Sequence, residues 1–371
     1  MKPLMLKYRN NMGMNNLRLA LSVCVIGCLV GTTLLAQRMI RVRPDRYEEP
    51  TRTKTISLDR IENLSFTSSS YLNGRLTIRA ADIPTARISY RLQFKVDSEE
   101  MAEEFASYIT IAFEDLENEF AISAETKASP PWRGSDFSAG VDVEIEVPTK
   151  NNLKIFARTS QFEIDIEGPF AGADITSNFG DITLKKITSK VNVSSDNGAV
   201  SVEDCSGPTK VTTSNRPITL QNVDGQLGSI RLRNENGRIS LDSVRGEIDA
   251  RTEFAQISAS RIRFESGRST LATENSNINL DASLVAGDVS VRSENGKIDM
   301  SIPMSASAAV LLQVEEGGRI YTKLLPIKVD RVTRTLVQGQ IGDGQNKIEV
   351  DMAGVGTINL EGTRTAPLSN R

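Results

Sequence analysis

Between Thr176 and Tyr321 the chain repeats itself, and the repeat limits what it can fold into. Successive segments read Asn178-Phe179-Gly180-Asp181-Ile182, Asp196-Asn197-Gly198-Ala199-Val200, Ser214-Asn215-Arg216-Pro217-Ile218 and Glu235-Asn236-Gly237-Arg238-Ile239. Glu253-Phe254-Ala255-Gln256-Ile257, Glu274-Asn275-Ser276-Asn277-Ile278, Glu294-Asn295-Gly296-Lys297-Ile298 and Glu316-Gly317-Gly318-Arg319-Ile320 continue the series. The aliphatic residue that closes each segment recurs at a step of roughly twenty residues, the mark of a stacked architecture. A second apolar column follows two residues later, at Leu184, Val202, Leu220, Leu241, Ala259, Leu280 and Met300. A spacing of two puts both columns on one face of a strand, and the polar residue between them faces the other way.

A further strand precedes each turn. Val191 and Val193, Ile230 and Leu232, Ile248 and Ala250, and Val289 and Val291 alternate in the same manner. Each repeat thus holds two short strands around a turn, and length varies in the other loop, as in a solenoid. Asn-Gly at 197, 236 and 295 suits a turn, because both residue types tolerate positive φ. A sandwich or meander is the competing fold, but it would show alternating turn types and less regular spacing. The expectation is an all-β chain with a β-solenoid of about eight to ten two-strand rungs, ~4.8 Å apart and about 40–50 Å long. Aliphatic ladders would fill its core, in keeping with 5% aromatic residues.

The flanking sequence divides as follows. Residues 1–16 form a short tail. Residues 17–36 are apolar and long enough, at about 20 residues, to cross ~30 Å of hydrocarbon as a transmembrane helix. Basic residues stand on both sides (Lys2, Lys7, Arg9 and Arg18 before; Arg38, Arg41, Arg43 and Arg46 after), so charge does not fix its orientation. An uncleaved signal anchor, a cleaved signal peptide and a lipoprotein signal all fit. In the last, Val25-Ile26-Gly27-Cys28 would be the lipobox and Cys28 the lipidation site. Residues 37–54, with Pro44 and Pro50, read as a juxtamembrane linker. Residues 55–160 read as a small β-rich domain with one helix near 98–108, capped by Asp97-Ser98. Residues 161–322 carry the solenoid repeats, 323–361 an insertion and C-terminal cap rungs, and 362–371 a disordered tail. The β-rich domain would also cover the first rung's open edge. Trp132, the only tryptophan, lies in the loop Ser129-Pro130-Pro131-Trp132-Arg133-Gly134-Ser135, either as a ligand platform or as a pin holding that loop to a core.

With Val143-Glu144-Ile145-Glu146-Val147-Pro148, then Leu153-Lys154-Ile155, then the Gly180-Asp181-Ile182 repeats, residues 55 to 360 resemble the bacterial "putative adhesin" domain family. The resemblance implies a membrane-tethered β-solenoid facing outward from the cell envelope. It implies no catalytic residues, and the helix near 98–108 departs from simpler members.

The chain has no histidine, so no Ser-His-Asp or Cys-His arrangement can form. No Gly-Lys-Ser/Thr phosphate loop occurs. The net charge of −3 gives no basic excess for nucleic acid. Cys205 follows Glu203-Asp204, whose charges would raise its pKa and blunt it as a nucleophile. Glu235, Glu253, Glu274 and Glu294 occupy one equivalent position and should form an acidic column. Such a column is a solvated turn edge relieved by Arg238, Arg251, Arg292 and Lys297, a metal site for Ca²⁺, or a carboxylate pair for glycan chemistry. The expectation is a non-enzymatic, cofactor-free, single-pass cell-membrane protein whose bulk is extracytoplasmic. It would bind or scaffold a protein or surface glycan. A carbohydrate-active enzyme on a β-helix and an envelope-stress signalling accessory are the alternatives.

Overall fold

The computed structural model describes residues 39–364. There the aliphatic columns stack. Ile182 pairs in parallel with Val200, Val200 with Ile218, and Ile218 with Ile239. Ile239 then pairs with Ile257, Ile257 with Ile278, and Ile278 with Ile298. The strand before each turn builds a ladder of its own, in which Val191 pairs with Thr209, Thr209 with Ile230 and Ile230 with Ile248. Both ladders are parallel, so each circuit of chain is one layer of a β-solenoid.

A third inward column closes the cross-section, and the two-strand reading had no place for it. Ile187, Cys205, Val223, Val244, Ile262, Ala282 and Ile302 are all buried. In five of these layers the residue just before it (Lys186, Asp204, Asn222, Ser243, Arg261) holds a positive φ between 53° and 57°. A left-handed residue bends the strand sharply enough to point the next side chain back into the core. That conformation costs about 1–2 kcal/mol outside glycine. Burying one aliphatic side chain returns about 1.5–3 kcal/mol, enough to hold the corner. The layer at Ala282 has no such corner; its register shifts between Ala259 and Ile262 instead.

The stack begins earlier than the sequence repeat. Residues 55–160 do not form a unit set apart from the solenoid: their strands carry the same two ladders. Asn63–Ser68 pairs in parallel with Lys154–Arg158 on one side and with Glu119–Thr126 on the other. Asn73–Ala81 lies in parallel between Gln161–Ser177 and Ser138–Pro148. Layers at 119–148 and 63–81 therefore precede the one at 154–167. With the repeats and the C-terminal strands, twelve layers stack among the described residues. The helix spans Glu99–Ala106, with Ser98 as N-cap accepting from the Met101 backbone N–H at 3.2 Å.

The C-terminal end is threaded out of chain order. The sequence places Ile320 directly after Ile298 in the column, but both pair with Ile358. The chain passes Lys297–Pro303, builds Ala308–Val314 and Arg319–Lys323 two layers out, and returns to fill the gap between them with Asn346–Met352 and Thr357–Thr363. Residues 323–361 therefore hold an internal layer, from 346 on, as well as strands that close the end of the stack. The strand pair Lys328–Val332 and Leu336–Ile341 continues from Ala308–Val314 in antiparallel pairing and ends that ladder.

Two further expectations change. Within the expected linker 37–54, the described residues, from 39 on, are not a linker, because Arg46–Glu48 and Arg52–Ile56 pair antiparallel with Ala86–Lys95, and Ile40–Arg43 pairs with Arg46–Glu48. Met39 and Tyr47 are buried there, and Pro44 and Pro50 fall between strands, where no ladder N–H is required. The expected tail begins inside a strand, since Thr357–Thr363 runs through Gly362. The apolar stretch 17–36, Cys28 and residues 365–371 lie outside the described residues. Among the described residues no helix is long and apolar enough to cross a membrane.

Candidate binding surface

The turn edge of the stack is built from the inside outward. Two residues after the second apolar residue of the pre-turn strand stands a buried polar side chain, at Ser177, Ser195, Thr213, Asn234, Thr252, Thr273 and Ser293. These groups satisfy the backbone of the turn. Ser195 Oγ accepts from the Gly198 N–H at 3.0 Å, and Asn234 Oδ1 accepts from the Gly237 N–H at 2.7 Å. Thr252 and Thr273 donate to the carbonyls of Glu235 and Ala255, at 3.1 and 3.2 Å. A buried backbone group left without a partner would cost about 1–3 kcal/mol, so this column fixes the turns in register. The aliphatic positions of this strand are plain in the sequence; the polar one, varying among Ser, Thr and Asn, is not.

Glycine serves these turns in two ways: Gly180 and Gly296 hold positive φ, at 98° and 142°, whereas Gly198 and Gly237 do not. What requires them is close approach: a Cβ on Gly198 would run into the Gly180 carbonyl oxygen of the neighbouring layer, and one on Gly237 into that of Arg216.

Outside this frame lie two parallel rows of side chains. In the first, Asn215 donates to Asn197 at 2.9 Å, Asn236 to Asn215 at 2.9 Å, and Asn295 to Asn275 at 3.1 Å. Backbone bonds place Phe179 and Phe254 in the same row. Asn197 N–H donates to Asn178 C=O, Asn236 N–H to Ser214 C=O and Phe254 N–H to Glu235 C=O, while Phe179 N–H donates to Ser160 C=O in the same pattern. The second row holds Asp196, Glu235, Glu253, Glu274 and Glu294. The expected acidic column is thus present as a stack. Among the described residues no group of three or more His, Cys, Asp or Glu side chains converges to hold a metal ion.

Between that acidic row and the pre-turn strands runs a groove of about 630 Å³. Arg233, Arg251 and Arg292 line its other wall. These arginines pair away from the glutamates: Arg233 and Arg251 reach Asp249, and Arg292 lies 3.7 Å from Glu349. Glu349 titrates below its ordinary range. The Lys347 ammonium, hydrogen-bonded at 3.0 Å, holds the carboxylate charged against the cost of burial, and Arg292 and Arg268 help.

A second concavity of about 910 Å³ opens where Ala86–Lys95, Ser138–Pro148, Asn73–Ala81 and Gln161–Ser177 continue the ladder. It presents Asp142, Glu144 and Glu163 with Arg75, Arg79 and Arg91. Arg91 bridges Glu48 and Asp142 at 3.0 Å each, and Arg75 reaches Glu163 at 2.6 Å. Trp132 is the loop pin of the two roles expected. Its indole N–H donates to the Tyr71 carbonyl at 2.7 Å and its ring packs 5.0 Å from Phe105.

Cys205 sits in the third inward column. Burial pushes its thiol up to about 11; the adjacent Asp204 adds to this, and is not the main cause as the sequence suggested.

The chain belongs to the Toastrack DUF4097 family, whose model matches residues 108–361. Solved structures resemble it at low identity. A putative adhesin from Parabacteroides merdae ATCC 43184 is 16% identical, with 67% of this chain and 95% of that one covered and a TM-score of 0.33. A putative adhesin from Bacteroides fragilis NCTC 9343 is 12% identical, with 84% and 97% covered and a TM-score of 0.28. A structure described as a putative lipid binding protein from Parabacteroides distasonis ATCC 8503 is 11% identical, with 84% and 96% covered and a TM-score of 0.38. No curated protein sequence matches the chain.

Proposed function

We propose that this chain is a non-enzymatic binding module of the cell envelope. Residues 17–36 would anchor it in the membrane, with the stack held on the extracytoplasmic side. The observation that carries this reading is the turn edge. Its side chains repeat once per layer at ~4.8 Å, and the buried polar column beneath holds them in register. A rigid, periodic row offers a partner many equivalent contacts at little ordering cost.

The enzymatic alternative looks to the 910 Å³ concavity, with its carboxylates Asp142, Glu144 and Glu163. Two of these three are tied to arginines, Asp142 to Arg91 and Glu163 to Arg75. A glycosidase acid must give up a proton to its substrate. Arginine-bound carboxylates suit that task poorly, so the binding reading is favoured.

Photo-crosslinking in intact membranes tests the proposal. Full-length protein would carry a diazirine amino acid in place of Asn236, Asn275 or, on another face, Lys210. The expected result is one discrete adduct from 236 and 275 and none from 210. Equal labelling at all three positions, or no adduct at any, would contradict it.

A further inference from the structure

Of the chain's 12 phenylalanines, only Phe179 and Phe254 are more than a third exposed, at 51% and 57%. Both stand in the outer row of the turn edge, where most other layers place asparagine. Neither ring stacks on another aromatic ring or lies under a cation among the described residues. Phe254 interrupts the amide ladder between Asn236 and Asn275, where an asparagine would bond to both neighbours. It also leaves its ring in water, unlike the buried Phe162, Phe170 and Phe264. A repeat that breaks its own local rule at the surface marks a place kept for contact. Two such breaks fall in one row.

The geometry of the row is linear. Phe179, Asn197, Asn215, Asn236 and Phe254 occupy five successive layers, so the two rings stand about 19 Å apart at ~4.8 Å per layer. Asn215 spends one N–H on Asn197 and one oxygen lone pair on Asn236, Asn197 only accepts and Asn236 only donates, so each amide keeps at least one N–H and one lone pair for a ligand. The row thus offers a flat apolar face at each end and outward amide donors and acceptors between. Pyranose rings present the matching pattern: an apolar C–H face that stacks on an aromatic ring, and a rim of hydroxyls that bonds to amides. A β-1,4-linked chain also advances by about one sugar per layer. Beside the row run Asp196, Glu235, Glu253, Glu274 and Glu294, which repel an anionic polymer. A protein partner would instead call for a contiguous, desolvated apolar centre, and here amides separate the rings.

From these relations we infer that the row from Phe179 to Phe254 binds a linear, uncharged polysaccharide laid along the stack, with a sugar ring on each phenyl. This inference rests on the binding-module reading and names its ligand class and its contact residues.

The test is calorimetric titration of the full-length protein, held in a detergent without a sugar head group. The probes are β-1,4-linked hexamers of glucose and of N-acetylglucosamine, with a hyaluronan hexamer as the anionic comparison. The proteins are wild type, Phe254→Asn and the double variant Phe179→Asn/Phe254→Asn. At least one neutral hexamer should bind, with the hyaluronan hexamer at least about tenfold weaker. Phe254→Asn should weaken binding about tenfold, the scale of one aromatic contact, and the double variant should abolish it. Both variants should melt no lower than wild type, which separates lost contact from lost fold. Failure of both neutral hexamers to bind, or equal binding by the double variant, would overturn the inference. A protein adduct from positions 236 and 275 together with no hexamer binding would overturn the glycan assignment alone and leave the binding module standing.

Discussion

The side-chain amide of Asn359 donates to the Asp299 carboxylate at 2.6 Å, across 60 positions of chain. That bond marks the layer at 346–363 as an internal one, set against Lys297–Pro303 below and Arg319–Lys323 above. A solenoid end made in simple chain order could fray layer by layer. Here the last strands lock the outer layer in place.

The lock has a measurable consequence. Ile358 is fully buried between two layers, whereas Ile320, in the outer one, is only partly buried. Ile358→Ala should cost about 2–5 kcal/mol in urea unfolding, and Ile320→Ala clearly less. Equal costs would place Ile358 at the end of the stack, contrary to the pairing described.

At Gly198 and Gly237 close backbone approach, and not left-handed geometry, requires glycine. Gly198→Ala should therefore destabilise by about 2–3 kcal/mol although its φ suits alanine. A thermal shift within that of a surface substitution would argue for a looser turn.

The amide row makes an opposite forecast. Phe254→Asn should complete the ladder from Asn197 to Asn295 and stabilise the fold by about 0.5–1.5 kcal/mol, read as a raised melting temperature. A lowered one would show that the Phe254 ring contributes to packing.

Much of this fold was legible in the sequence, and the parts that were not have physical reasons. Ile182, Val200, Ile218 and their successors announced the stack because consecutive layers must repeat one aliphatic position. The helix was legible from Ser98 and the acidic first turn. The layers at 63–81 and 119–148 were not, because a helix and antiparallel strands interrupt their period. Ile358 was hidden for a similar reason: pairing order at the C-terminal end departs from chain order. The Cys205 column escaped notice because its residues range from alanine to isoleucine, behind corners of varied residue type. The glutamates of the turn edge are legible from their equivalent positions, whereas Phe179 and Phe254 in the same segments look like core residues until their exposure is seen.

Acid should weaken one contact of the groove in a defined window. The folded-state pKa of Glu349 is lowered, so its contribution to stability is present above the ordinary carboxylate range near pH 4.5 and is lost as pH falls through the folded value. Wild type should melt above Glu349→Gln at pH 6, and the gap should close below pH ~4.5. Because Lys347 and Arg292 are largely exposed, the gap should stay within about 1 kcal/mol. A gap that widens in acid would contradict the assigned sign.

The layered order itself is tested most directly by paired cysteines in a chain where Cys24, Cys28 and Cys205 are replaced by alanine. Asp299 and Asn359 face each other in adjacent parallel strands, ~4.8 Å apart and within disulfide reach, whereas Tyr321 lies one layer beyond Asn359, at about 9–10 Å from Asp299 and out of reach. Mild oxidation should close the bridge in Asp299→Cys/Asn359→Cys and leave Asp299→Cys/Tyr321→Cys as free thiols. A bridge in the second pair and none in the first would mean that the layers follow chain order, and the threading described would be wrong.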